Sequence, residues 1–160
     1  MKKKIFNYQF LPRQAGFTLM ELLIVMVILG LLATIGLVSF RGAQIKGRDT
    51  QRKNDLNQIQ RALEMYYNDY GSYLTPLPGG GGSWSDDKGT LYMKEVPKDP
   101  KDPANIYLYQ QKNNGTGYAL YATLENTNDS CFKTGLCKDY GISCGNANCN
   151  YAVASANITP

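Results

Sequence analysis

The sequence predicts an α+β fold, in which a long N-terminal helix packs against a small antiparallel β-sheet headgroup with a Cys-stapled C-terminal loop. Three observations predict this fold. An uncharged, largely apolar run from Leu22 to Phe40 is followed by a polar stretch whose apolar residues keep helical spacing, and residues from Ile106 onward alternate as strands do. The four cysteines lie between Cys131 and Cys149. The helix therefore has an apolar transmembrane half and an amphipathic half.

The apolar half is predicted over residues 17–40. A helix that crosses a bilayer needs about 20 apolar residues, and this run is long enough. Glu21 is its one anomaly, because a carboxylate inside a membrane helix costs roughly 2.5–3.5 kcal/mol or more at the centre. Such charges usually have a function, so Glu21 is the main candidate for a functional residue.

The amphipathic half is predicted over residues 41–70. No proline occurs between Pro12 and Pro76, so nothing blocks a helix there. Apolar residues recur every three or four positions and form one stripe: Leu56, Ile59, Leu63, Tyr66 and Tyr70. We expect the rest of the chain to cover this stripe, and Gly71 to end the helix.

A loop and a β-hairpin are predicted over residues 71–124. Two alternating segments, 106–110 and 118–124, flank Asn and Gly residues that favour a turn. The four glycines at 79–82 are not followed by the Gly-Lys-Ser/Thr of a phosphate-binding loop, so they predict a flexible surface loop.

The region over residues 125–160 is rich in Asn, Gly, Ser and Cys and shows little periodicity. Its cysteines lack Cys-x-x-Cys spacing, and the chain has no histidine, so disulfides are favoured over zinc. Three pairings are open for the four residues Cys131, Cys137, Cys144 and Cys149. The absence of histidine also excludes His-based acid–base catalysis.

The net positive charge of the chain comes from its N-terminal residues. The net charge is +4, and four of the 17 basic side chains lie before residue 16, which leaves 13 basic and 13 acidic side chains in the remainder. Strong nucleic-acid binding is therefore not expected. The basic leader predicts a cytoplasmic N-terminus and a C-terminus outside.

The segment Gly16-Phe17-Thr18-Leu19-Met20-Glu21, behind a basic leader and ahead of an apolar helix, resembles the processing motif of type IV prepilins and type II secretion pseudopilins. The resemblance implies that a prepilin peptidase removes residues 1–16 as a leader peptide by cleavage between Gly16 and Phe17. The new amine of Phe17 is then N-methylated. The alternative to prepilin processing is an uncleaved signal anchor in which the glycine has no function.

The same resemblance implies a homo-oligomeric filament that inner-membrane machinery assembles and whose core is the helix over residues 17–40. Glu21 would then pair with the Phe17 amine of a neighbouring subunit. The alternative for Glu21 is a favourable position near the positive end of the helix. Glycines 30, 36, 42 and 47 allow two interpretations, bending during assembly or close helix packing.

We therefore predict a structural subunit of a type IV pilus or a type II secretion pseudopilus, serving protein secretion, adhesion or motility. It resides first in membrane lipid as a single-pass inner-membrane protein and then in a cell-surface or periplasmic filament. The alternative is a minor tip pilin that binds DNA or a surface. No nucleophile–base pair or metal cluster indicates an enzyme, and no cofactor is expected. Calcium is a less favoured alternative for four carboxylates: Asp99, Asp102, Asp129 and Asp139.

Overall fold

The computed structural model describes residues 16–160. The predicted leader, apart from Gly16, lies outside the described residues. The chain divides into two units with a boundary between Phe40 and Arg41. The first unit covers residues 16–40 of the described chain, and the second unit covers residues 41–160.

One long helix, α1, extends from Leu19 to Tyr70. In the second unit most of its predicted stripe faces the interior: Leu56, Ile59 and Leu63 are buried, and Tyr66 is half-buried. Tyr70, the last residue of the stripe, is exposed instead, and its hydroxyl donates to Asp86 at 2.7 Å. The helix ends where Gly71 adopts a φ of 69° and donates its N–H to the Tyr67 carbonyl at 2.8 Å. Glycine takes this left-handed conformation without a steric cost. The predicted end of the helix at Gly71 is therefore confirmed.

Two antiparallel sheets follow α1. The first pairs β1, Trp84–Ser85, with β2, Leu91–Met93. The second contains β3, Leu108–Lys112, β4, Gly117–Ala122, and β5, Tyr151–Ala154, in the order β3-β4-β5.

The predicted hairpin is confirmed as β3 and β4, with Leu108 opposite Tyr121 and Lys112 opposite Gly117. A 3-10 turn at Asn113–Gly115 joins the two strands. Asn113 and Asn114 have φ values of 51° and 52°, and asparagine tolerates this region better than most residues do.

Strand β4 is buried on both faces and separates two layers of the core. Tyr118, Leu120 and Ala122 pack in the cluster that contains the α1 stripe. Ala119 and Tyr121 pack on the other side, in a cluster with Cys144 and Cys149. The side chains of a strand alternate between faces, so this one strand joins the helix layer to the cysteine-rich layer.

The C-terminal region is held by two disulfides, Cys131–Cys137 and Cys144–Cys149, which are the nearest-neighbour pairing among the three that the sequence left open. A short helix, α2, Ser130–Lys133, overlaps the start of the first disulfide loop. Strand β5 was not predicted, because its four residues are too few to show a period and are surrounded by turn formers. Strand β1 was missed for the same reason.

Candidate functional site

The start of α1 carries a local capping motif. Thr18 precedes the helix, and the N–H of Glu21 donates to Thr18 Oγ1 at 3.2 Å. This bond satisfies one of the amide donors that the first helical turn leaves without an intrahelical acceptor. Thr18 and Glu21 thus have the Thr-x-x-Glu spacing of a capping box, and in the described chain the side chain of Thr18 caps the helix.

The first unit exposes its apolar side chains. Phe17 is 84% exposed, and the large apolar residues described between Leu19 and Phe40 are all exposed as well. By its length and composition α1 could cross a membrane. An apolar surface of this extent needs lipid or another protein to cover it.

Glu21 lies in the first turn of α1, where the helix dipole favours a negative charge. Within residues 16–160 its carboxylate forms no ion pair. The position is therefore compatible with both sequence interpretations, a local dipole interaction and a partner on another chain.

The glycines of α1 do not interrupt the helix. At positions 30, 36, 42 and 47 no atom lies within 4 Å of the place that a Cβ would occupy, apart from the helix's own neighbouring backbone. Packing within the described part of this chain therefore does not require glycine at these positions.

A cluster of buried ion pairs, which sequence reasoning missed, lies in the second unit. Arg52 on α1 is fully buried and binds Asp99 through two hydrogen bonds, Nε to Oδ2 at 2.7 Å and Nη2 to Oδ1 at 3.0 Å. Its Nη1 also donates to Asp49 Oδ1 at 2.7 Å and to Glu125 Oε1 at 2.8 Å. We call these residues, with Arg48 and Lys101, the Arg52 cluster.

Glu125 is the second centre of the Arg52 cluster. Arg48 holds it with two hydrogen bonds of 2.7 and 2.6 Å, and Lys101 Nζ lies 2.7 Å from Oε2. Asp49 accepts the N–H groups of Glu125 and Asn126 at 2.9 and 2.8 Å. The cluster therefore fastens two loops, one after β2 and one after β4, to the same two turns of α1.

These contacts shift the pKa values of the groups involved. The hydrogen bonds from Arg48 lower the pKa of Glu125 well below its usual range; partial burial opposes this, and Lys101 and Arg52 reinforce it. Burial acts against the charged form of Arg52, but hydrogen bonds to Asp99, Glu125 and Asp49 outweigh it and raise the pKa of Arg52. Both groups therefore remain charged at neutral pH.

The four carboxylates considered for calcium have other partners. Asp99 binds Arg52, and Asp129 caps α2 while it also binds Lys53 at 2.7 Å. Asp139 accepts the N–H of Gly141 at 2.8 Å, and Asp102 lies 3.9 Å from Lys98. Among the described residues, no group of three His, Cys, Asp or Glu side chains is arranged to hold a metal ion.

The low pKa of Glu125 predicts an acid-sensitive second unit. A depressed carboxyl pKa contributes stability that is present above the unfolded value, about 4.3 for Glu, and is lost as pH falls toward the folded value. The pKa of Asp129 is also lowered, by the Cys131 N–H and by Lys53. We expect the thermal midpoint of the full chain, followed by circular dichroism, to fall between about pH 5 and pH 2.

The matched variant for this titration is Glu125→Gln. It should lower stability at pH 7 and flatten the dependence below about pH 5, because the titrating group is gone. Glu95→Gln makes the same change at an exposed carboxylate that joins no ion pair in the described chain, and it should keep the wild-type slope. A Glu125→Gln curve parallel to the wild type at every pH would contradict the assignment.

Comparisons with known proteins identify the family. The prokaryotic N-terminal methylation motif matches residues 11–37. Type II secretion system core protein G of Pseudomonas aeruginosa is 31% identical over 122 residues, covering 69% of this chain and 82% of that protein. The chain belongs to the pilin and pseudopilin family. Membership confirms the resemblance predicted from the segment between Gly16 and Glu21.

Other relatives show how far the similarity extends in this pilin and pseudopilin chain. Core protein G of Pectobacterium carotovorum is 38% identical over 111 residues, covering 68% of this chain and 67% of that protein. The type IV major pilin protein PilA of Myxococcus xanthus is 34% identical over 65 residues, 41% of this chain and 30% of that protein. No solved structure matches the chain at a comparable significance.

Proposed function

We propose that this protein is the structural subunit of a type IV pilus or of a type II secretion pseudopilus. In this proposal a prepilin peptidase cleaves after Gly16, Phe17 becomes the N-methylated terminus, and subunits assemble through α1. The filament then serves protein secretion, adhesion or motility. One observation carries the proposal. The first unit of this chain is an exposed apolar helix with one carboxylate in its first turn, and the chain belongs to the pilin and pseudopilin family.

During the proposed assembly, neighbouring subunits replace the lipid around the helix. Lipid tails are as apolar as leucine side chains, so burial alone gives little preference for protein neighbours over lipid. Close packing and polar pairs must supply that preference. A carboxylate at Glu21 and a terminal amine at Phe17 of the next subunit form such a pair, and a low dielectric strengthens their attraction.

The proposed topology is a single pass through the cytoplasmic membrane with the second unit outside. The two disulfides support it, because structural disulfides persist in oxidising compartments. The proposed partners are copies of the chain, a prepilin peptidase, the inner-membrane assembly machinery, and membrane lipid before assembly.

The proposal is tested by shearing the surface of cells that produce the protein and by enriching filaments from the periplasm. A main structural subunit should be abundant in one of these fractions and polymeric in electron micrographs. A protein that occurs only at the tips of filaments made of another subunit would support the minor-pilin alternative. A protein found only as an unpolymerised membrane resident would refute both.

Processing gives a second prediction, on Gly16. Among residues 16–160, no atom lies within 4 Å of the position that a Cβ would occupy at Gly16, so packing in this part of the chain does not require glycine there. A requirement for glycine would instead come from a peptidase that must approach the backbone closely. We expect Gly16→Leu to leave a precursor longer by 16 residues.

Intact-mass spectrometry measures this directly. The wild type should begin at a methylated Phe17, and Gly16→Leu should keep residues 1–16. Gly30→Leu is the matched control, because a Cβ at Gly30 would also meet no atom within 4 Å in the described chain beyond the neighbouring helix backbone, but Gly30 lies inside the helix. It should be cleaved normally. Wild-type processing of Gly16→Leu would show that the cleavage site lies elsewhere.

A further inference from the structure

A cavity of about 340 Å³ lies in the second unit, between β3 and two loop segments, residues 75–80 and 96–102. Its volume falls within the range of about 300–1,000 Å³ that is typical of small-molecule sites. The buried residues Ile59 and Val96 are part of its lining, and the partly exposed Ile106 also borders it. No step of the proposed assembly uses this cavity.

Two tyrosine rings also line the cavity, and their hydroxyls are already bound. The hydroxyl of Tyr107 donates to Asp55 at 2.7 Å, and that of Tyr109 donates to the Leu74 carbonyl at 2.5 Å. These bonds fix both side chains, so a ligand would meet rigid ring surface. Three proline rings border the same cavity: Pro76, Pro78 and Pro97.

The polar part of the lining keeps both donors and acceptors available. Lys98 and Asp102 are 52% and 37% exposed and lie 3.9 Å apart, and an exposed pair at this separation is weak and easily opened by a ligand. Gln111 donates its amide to the Tyr73 carbonyl at 2.6 Å, and within residues 16–160 its Oε1 accepts no hydrogen bond. Asp99 also lines the cavity, but Arg52 occupies both of its oxygens.

The glycines at 79–82 allow the loop to pack closely against Lys98. A Cβ at Gly80 would lie 2.9 Å from Lys98 Cγ, and one at Gly81 would lie 2.5 Å from Lys98 Cε. The Gly81 N–H donates to the Val96 carbonyl at 2.7 Å, and the Val96 N–H donates to the Gly82 carbonyl at 2.8 Å. The glycines therefore let the loop pack directly on the stem of Lys98, next to the cavity.

The available charges, one ammonium and one carboxylate, cancel. A ligand with a net charge would leave one of them opposed, whereas a neutral ligand with several hydroxyls can accept from Lys98 and donate to Asp102 and Gln111. A pyranose also has an apolar face that suits rigid ring surface. We propose that this cavity binds a neutral saccharide through Lys98, Asp102 and Gln111.

On a filament the site would be repeated in every subunit. Each site needs only weak affinity, because several sites attached to one polysaccharide bind far more strongly than a single site does. The binding itself concerns one chain, so it can be measured whether or not the protein polymerises.

Saturation-transfer NMR tests the proposal on the full chain in lipid nanodiscs, without sugar-based detergents. The probes are the methyl pyranosides of glucose, galactose, mannose and N-acetylglucosamine, with glycylglycine as a zwitterionic comparison. We expect transfer to at least one pyranoside and none to the dipeptide. The double variant Lys98→Gln, Asp102→Asn should weaken that binding at least tenfold.

Two further variants keep the result interpretable. Lys94→Gln with Glu95→Gln makes the same neutralisation in a different groove, beside β2, and should leave binding unchanged. Ile106→Trp, at a position 41% exposed, should obstruct the cavity and abolish binding without disturbing the core. The proposal is overturned if no pyranoside binds, if the dipeptide binds instead, or if both double variants behave alike.

Discussion

Replacing Arg52 with leucine is expected to destabilise the second unit by about 3–5 kcal/mol, the usual effect of removing one partner of a buried ion pair. Arg52 is fully buried, and Asp99 beside it has no exposed side-chain surface. Without the guanidinium, this carboxylate and that of Asp49 stay desolvated with no positive partner. Leucine retains apolar volume, so the loss measures the uncompensated charge rather than a cavity.

The measurement is denaturant unfolding of the full chain, followed by near-ultraviolet circular dichroism of the buried Trp84 and its tyrosine neighbours. Arg61→Leu is the matched control, because Arg61 lies on the exposed side of α1 and joins no ion pair in the described chain. Its effect should stay within about 0.5 kcal/mol. Similar losses for the two variants would contradict the role given to Arg52.

Arg52→Lys separates charge from geometry. A lysine keeps the positive charge but cannot reproduce the fork that binds Asp99 through two hydrogen bonds while it also reaches Glu125. We expect a loss between those of Arg52→Leu and the wild type. A loss as large as that of leucine would show that geometry, rather than charge, stabilises the cluster.

The sequence could predict those parts of the fold that depend on residues close together in the chain. The stripe through Leu56, Ile59 and Leu63 repeats at helical spacing, and the turn at Asn113–Gly115 stands between two alternating segments. Both patterns lie within a few residues of the structure that they predict, so they can be recognised without knowledge of the tertiary fold.

The Arg52 cluster could not be predicted in this way, because its partners are remote. Asp99 is 47 positions and Glu125 is 73 positions from Arg52. One signal was present, since Arg52 lies four residues before Leu56 and therefore on the stripe that was expected to be buried. A charged residue on a buried stripe predicts a buried partner, but it does not say which loop supplies it.

At the N-terminus the limits are different. The motif from Gly16 to Glu21 could be recognised because its residues are consecutive in the sequence. The interactions of the exposed helix with its surroundings involve other molecules, and neither one sequence nor one chain contains them. An assembly experiment therefore distinguishes the two interpretations of Glu21.

Glu21→Leu is expected to leave membrane insertion and cleavage intact but to reduce polymeric protein at least tenfold. A tenfold change corresponds to about 1.4 kcal/mol, and leaving a terminal amine unpaired in a water-poor helix bundle costs more than this. If Glu21 acts only on the helix dipole, its loss costs about 0.3–1 kcal/mol, and assembly falls less than tenfold. The two interpretations of Glu21 therefore predict different amounts of filament.

The assay compares sheared or periplasmic polymer with the membrane fraction by quantitative immunoblot, after mass spectrometry has confirmed that the variant begins at Phe17. Met20→Leu is the matched control, because Met20 is exposed in the same first turn and carries no charge. It should assemble like the wild type. Normal assembly of Glu21→Leu would eliminate the pairing with Phe17, whereas a loss confined to Glu21→Leu would leave the carboxylate as the group that distinguishes a neighbouring subunit from lipid.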